Sequence, residues 1–169
     1  IFEFSDSSRR HLLEVCRECG HKIRSQFCLT YHTDFPLDGR EVKADVARFE
    51  RQVKRCFGQD TPMLWVLEFQ KRGAPHIHFF SDIEPNPFNR RTLSILWVKH
   101  ALGYTQSLDI PTFRFHDHVK NFQGWTMKSG QYLVKEYINK IEQKEVPENF
   151  QNVGRFWAAT RNMKPDYEI

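Results

Sequence analysis

Residues Met63–Asp82 read MLWVLEFQKRGAPHIHFFSD. Two runs rich in apolar, β-branched and aromatic residues flank a short link at Lys71–Pro75, the pattern of an antiparallel hairpin. Strands are expected at Met63–Gln70 and His76–Asp82. Alternate residues of a strand share a face, so His76 and His78 project together while Ile77 points the other way. The link decides which residues of the first strand join them. An even connection sets Phe69 against His76; an odd one with a bulge at Gly73 brings Glu68 and Gln70 onto the histidine face.

Working outward, Ser5–Ser8 supplies N-cap residues for a helix read at Arg10–Arg24, with Leu12, Cys16, Cys19 and Ile23 on one face. Ser25–His32 (SQFCLTYH) reads as a strand, broken by Pro36 and Gly39. Val42, Val46, Phe49, Val53 and Cys56 step by fours and threes, predicting an amphipathic helix over Arg40–Phe57 that Gly58 ends. Past Pro85 and Pro87, Leu93, Leu96 and Trp97 mark a helix over Asn89–Leu102. Thr112–His118 alternates like a fourth strand, and Gln131–Gln143 reads as a further helix. Beyond Pro147 the pattern weakens, although Val153–Ala159 is apolar enough to pack. After the first helix the order is strand, helix, strand, strand, helix, strand. That is an α+β fold: a central antiparallel sheet of ferredoxin-like or RRM-like βαββαβ topology with helices packed on it. In it the first and third strands lie side by side, so Phe27–Tyr31 neighbours the histidine strand.

The 169 residues, 40% hydrophobic with 15 Phe and 4 Trp, fit one folded domain over 1–169. Apolar runs are too short to span a membrane. The net charge of +4 leans toward phosphate-bearing partners, and the basic residues sit in small clusters such as Lys71-Arg72 and Arg90-Arg91. Cys16 and Cys19 form a CxxC followed by His21 and Cys28, which raises structural zinc, but no second CxxC closes a tetrahedral site. Core packing suits small apolar cysteines better. The lack of a disulfide pattern points to a reducing, intracellular setting. The chain opens at Ile1 without a signal peptide and is expected to be a segment of a longer protein.

Two adjacent imidazoles are natural ligands for a divalent cation, although a bare HxH is also compatible with a solvated sheet face. The discriminating feature is QYLVKEYINK at Gln131–Lys140, where Tyr132 and Lys135 stand one helical turn apart. A phenol of ordinary pKa about 10 is a poor nucleophile near neutrality, and a neighbouring cation favours its phenolate. Two histidines, a carboxylate, a tyrosine and a lysine are the parts of a metal-assisted phosphoryl transfer with a tyrosine nucleophile.

Three stretches now resemble, in order, the motifs of the HUH endonucleases, specifically the rolling-circle replication initiator (Rep) proteins. Phe27-Cys28-Leu29-Thr30-Tyr31 is similar to the strand motif written FLTY, Pro75-His76-Ile77-His78 to the His-hydrophobic-His motif, and Tyr132-Leu133-Val134-Lys135-Glu136 to YxxK followed by an acid. The resemblance implies the same central-sheet fold, the HUH endonuclease fold. It implies that His76 and His78 bind Mn²⁺ or Mg²⁺, with Glu68 as third ligand and Gln70 the alternative. It further implies that Tyr132, assisted by Lys135, attacks a phosphate of single-stranded DNA at a replication origin, in a hairpin or otherwise. A 5′-phosphotyrosyl link and a free 3′-OH follow, and a later 3′-OH reverses the link to join ends. A second YxxK at Tyr137-Ile138-Asn139-Lys140 makes Tyr137 the alternative nucleophile; five residues place it about 140° around the helix from Tyr132.

Lys71, Arg72 and Arg155 are candidate DNA-phosphate contacts, with a solvated surface as the competing reading. Thr30, Tyr31 and His32 continue the strand beside the histidines and are candidate substrate contacts. Phe156 and Trp157 suit core packing better than base stacking, and the second HxH, His116 and His118, is expected on a solvated strand face. No GxxxxGK marks a helicase ATP site, so a helicase would be another domain or a host protein. Competing functions are a relaxase or single-tyrosine transposase, a water-using metal hydrolase, and an RRM-like binding module without chemistry.

Overall fold

The computed structural model describes residues 5–103, 118–124, 146–150 and 153–164. Helix α1 runs Asp6–Cys19, with Ser5 Oγ accepting from the Ser8 amide at 3.2 Å, and a 3₁₀ turn at Gly20–Lys22 follows. The cap therefore acts four residues ahead of the expected start. Strand β1 is Ser25–Thr30, helix α2 is Gly39–Phe57, and strands β2 and β3 are Met63–Phe69 and Pro75–Ser81. Asp38 caps α2 through the Arg40 amide, and Gly58, at φ 120°, ends it. Helix α3, Pro87–Ile95, begins with proline after the Asn86 cap and continues as a π turn over Leu96–Ala101. Strand β4 is Val119–Gly124 and β5 is Trp157–Ala159.

These strands form one antiparallel sheet in the order β4-β1-β3-β2-β5. The βαββαβ order is present, with β1 and β3 adjacent as expected and β5 added beyond β2. The fourth strand is Val119–Gly124 rather than Thr112–His118, of which only His118 is described. His118 is not on a solvated face: it is 3% exposed, its ring 5.3 Å from that of His32. The expected helix over Gln131–Gln143, with Tyr132, Lys135 and Tyr137, lies outside the described residues.

The two faces of the sheet differ. Phe27, Leu29, Ile77, Phe79, Trp65 and Leu67 share one face by register. Phe49 of α2 packs there, edge-on to Phe79 at 5.2 Å and to Trp97 at 5.7 Å. Trp97 donates Nε1–H to the Thr30 carbonyl at 2.8 Å, tying the π turn to the end of β1. The opposite face carries His76, His78, Cys28, Thr30, Val66 and Glu68. Trp157, opposite Val66, also faces this side; it meets His11 of α1 edge-on and donates to Ser8 Oγ at 2.9 Å. Helix α1 thus contacts this layer beside β5. Cys16 and Cys19 are buried in its apolar side with Leu12 and Val15. Burial, reinforced by Cys19, pushes the Cys16 thiol up to about 12, which suits packing and not zinc binding. No helix among the described residues is long and apolar enough to cross a membrane.

Candidate metal centre

The hairpin link takes the odd alternative. Phe69 pairs with Pro75 and Glu68 with His76, leaving a three-residue loop at 71–73 closed by Gln70 N–H to Ala74 O at 2.9 Å. Gly73 sits at φ 83°, the left-handed conformation that glycine adopts without steric cost. One residue fewer would have turned Glu68 to the helix-covered face. With this register Glu68 and Gln70 share the face of His76 and His78.

The imidazoles of His76 and His78 stand 4.7 Å apart, nearly perpendicular at 80°. His78 is 7% exposed; His76 is half-buried. Glu68 Oε2 lies 2.6 Å from His78 Nε2, and Gln70 Nε2 reaches 3.5 Å from His76 Nδ1, the limit of a hydrogen bond. On the other side of β3, Cys28 pairs with His78 and places Sγ 3.3 Å from Nδ1. Cys28, a packing residue on the sequence reading, is therefore a member of this cluster. Periodicity within FCLTY places Cys28 on a face of its own strand only; the Cys28–His78 register supplies the rest.

Burial pulls the His78 imidazole down, but hydrogen bonds to Cys28 and Glu68 outweigh it and raise it to about 9. Burial likewise pushes the Cys28 thiol up, and hydrogen bonds from His76 and His78 bring it to about 6. Nδ1 and Sγ thus hold one proton between them, with the thiol side toward thiolate. Ligand atoms of Cys28, His76 and His78 all lie within 4.8 Å of one another, close enough to converge on a single cation. The donor set of two imidazoles and a thiol, with a carboxylate adjoining, fits a borderline divalent metal better than Mg²⁺, which favours oxygen ligands. Beside the cluster a cleft of about 280 Å³ opens between β1 and β4, lined by Gln26, Cys28, His78, Phe80, Asn121 and Gln123.

The remaining expected contacts are scattered. Thr30 is buried on the histidine face opposite His76. Tyr31 is turned to the helix side: 3% exposed, it meets Trp97 edge-on and donates its hydroxyl to Asp45 Oδ2 at 2.7 Å. That places it in the core rather than at a substrate. Lys71 is exposed at the hairpin tip. Arg72 instead folds back, donating to the carbonyls of Tyr31 and His32 at 3.0 Å and to Gln70 Oε1. Arg155 is exposed, while Phe156 and Trp157 are buried as expected of core aromatics.

An α+β sheet carrying a histidine pair on its central strand defines a class of candidate metal-binding domains, and comparison with known families narrows it. Residues 24–145 match the family of the replication-associated protein ORF2, and the chain belongs to that family. Membership ties the chain to DNA replication. No curated protein and no solved structure matches it.

Proposed function

We propose that this chain is a metal-dependent, site-specific single-strand DNA endonuclease of the HUH type that starts rolling-circle replication by nicking an origin. The observation that carries the reading is the coincidence of two facts. The family match spans all three motifs, from Phe27 to Lys140, and the histidine pair of the second motif stands in a cluster of metal-binding groups on the central strand.

In this reading His76 and His78 hold a divalent cation, Mn²⁺ or Mg²⁺ in the first instance, with Glu68 or Gln70 beside them. When bound, the cation would neutralise and orient the scissile phosphate. The Tyr132 oxygen forms the bond to phosphorus as the bond to the 3′-oxygen breaks. The phenolic proton passes by way of solvent to that 3′-oxygen, and Lys135 favours the phenolate through its charge. The products are a 5′-phosphotyrosine and a free 3′-OH that primes synthesis; reversal rejoins strands. Exposed Lys71 and Arg155 are assigned to DNA phosphate, and Thr30 to the floor beneath the bound strand.

The test is to incubate the protein with Mn²⁺ and an origin-like single strand, hairpin included, and separate the products on a denaturing gel. A slow, protease-sensitive protein–DNA adduct is expected, and Tyr132→Phe removes it. Loss with Tyr137→Phe instead moves the nucleophile to Tyr137. Cleavage without an adduct would make the protein a hydrolase, and binding without cleavage a recognition module.

A further inference from the structure

Resting on that metal-centre reading, we propose that Cys28 is the third protein ligand of the cation held by His76 and His78, and that Glu68 is a positioning residue behind His78. The two atoms flanking the His78 ring are not equivalent. Cys28 Sγ is 3.3 Å from Nδ1. Two tetrahedral ligands with metal distances near 2.3 Å for sulfur and 2.0–2.1 Å for nitrogen stand ~3.5 Å apart, so this pair already has nearly the spacing of co-ligands. Glu68 Oε2 is 2.6 Å from Nε2. That is a hydrogen bond, well inside the ~3.3 Å that oxygen and nitrogen adopt on one tetrahedral ion.

The hydrogen-bond chemistry agrees. An ionised carboxylate only accepts, so Glu68 fixes the proton of His78 on Nε2 and leaves Nδ1 to face Cys28. A cation entering between Nδ1 and Sγ replaces the proton those two atoms share, which is released to solvent as the sulfur–metal and nitrogen–metal bonds form. Cys28 also hydrogen-bonds His76, which brings the second imidazole to the same point. Gln70 stands at Nδ1 of His76 as Glu68 stands at Nε2 of His78, a second polar group behind a ligand ring. A ligating histidine backed by a carboxylate is a recurrent arrangement that fixes the tautomer and raises ligand basicity. The exposure follows the same division: Cys28 and His78 are each 7% exposed, whereas half-buried His76 marks the open side, where a phosphate and water would complete the shell.

The consequence is metal selectivity. Two imidazoles and a thiolate favour borderline cations such as Zn²⁺ or Co²⁺ and leave Mg²⁺ poorly matched. Titration of the purified full chain with Co²⁺, with a reductant that does not bind metal, tests the assignment spectroscopically and without activity. The wild type is expected to show visible ligand-field bands together with a near-ultraviolet sulfur-to-cobalt charge-transfer band. Cys28→Ser and Cys28→Ala should lose the near-ultraviolet band and keep visible bands, with circular dichroism checking that both variants fold. Cys56→Ser, at an exposed cysteine, should keep both. Glu68→Gln should retain the charge-transfer band while weakening Co²⁺ binding about 10–100-fold. A charge-transfer band surviving in folded Cys28→Ser, or visible bands without it in the wild type, would overturn the cysteine ligand while leaving the histidine centre intact. Abolition of Co²⁺ binding by Glu68→Gln would put Glu68 in the coordination shell and overturn its positioning role. If the wild type gives no Co²⁺ bands and matches His76→Ala/His78→Ala, the metal-centre reading fails and this proposal falls with it.

Discussion

Thr30 and Tyr31 are consecutive, yet their side chains lie on opposite layers. Thr30 faces His76, and Tyr31 reaches into the helix layer to Asp45. Asp45 is 6% exposed and is also held by Arg48, whose Nε donates to the Ala101 carbonyl at 2.9 Å. Burial raises the Asp45 carboxyl, and the Tyr31 and Arg48 bonds partly restore it. Tyr31→Phe removes one of those bonds and leaves a buried acceptor short of a donor. We expect a loss of about 1–3 kcal/mol in urea unfolding, with single-strand binding unaffected because the hydroxyl does not face the metal cluster. Arg72 makes a comparable point. Its guanidinium bridges the hairpin tip to the carbonyls at the end of β1 and stacks 5.3 Å over Phe35, a structural tie inside a motif that looks purely basic in the sequence.

At the scale of elements, one backbone conformation sets which groups meet. Gly73 at φ 83° closes the odd loop that puts Glu68 opposite His76. Gly73→Ala forces a side chain into the left-handed region at a cost of about 1–2 kcal/mol. Because the strain falls on the loop that fixes register, Co²⁺ affinity is expected to drop as well. Gly103→Ala is the control: Gly103 is also at positive φ, 72°, but outside the hairpin, so stability should fall without a change in metal binding. Calorimetry and the cobalt titration together read both effects. The hairpin, α2 and the β1–β3 adjacency are legible because MLWVLEF, PHIHFFS and the four-three steps of α2 are long, strongly patterned segments. Strand β4 escapes that kind of reading because VKNFQG is largely exposed and carries only Val119 and Phe122 as apolar residues; β1 pairs with it through the backbone. Strand β5 is three residues long, below what periodicity can reveal. Glu68 is visible as soon as an odd loop is considered, whereas Cys28 needs the register between two strands 50 residues apart.

For the whole molecule, the sheet divides two tasks. One face is sealed by α2, α3 and a stack of Phe27, Phe49, Phe79 and Trp97; the other pairs α1 with a polar cluster and an open cleft. The family match over 24–145 contains the cluster but neither α1 nor β5. Strand β5 is small, yet it occupies the outer edge of β2, with Leu64, Val66 and their neighbours paired to Trp157–Ala159. A chain trimmed to the matched span would leave MLWVLEF as a bare rim: seven residues, strongly apolar, without proline and with a single charge. Such a rim templates self-association, so the trimmed chain should scatter light and sediment as large particles at concentrations where the full chain stays dispersed. Three residues near the far end of the chain thereby act as a guard against aggregation for a strand nearly a hundred positions earlier.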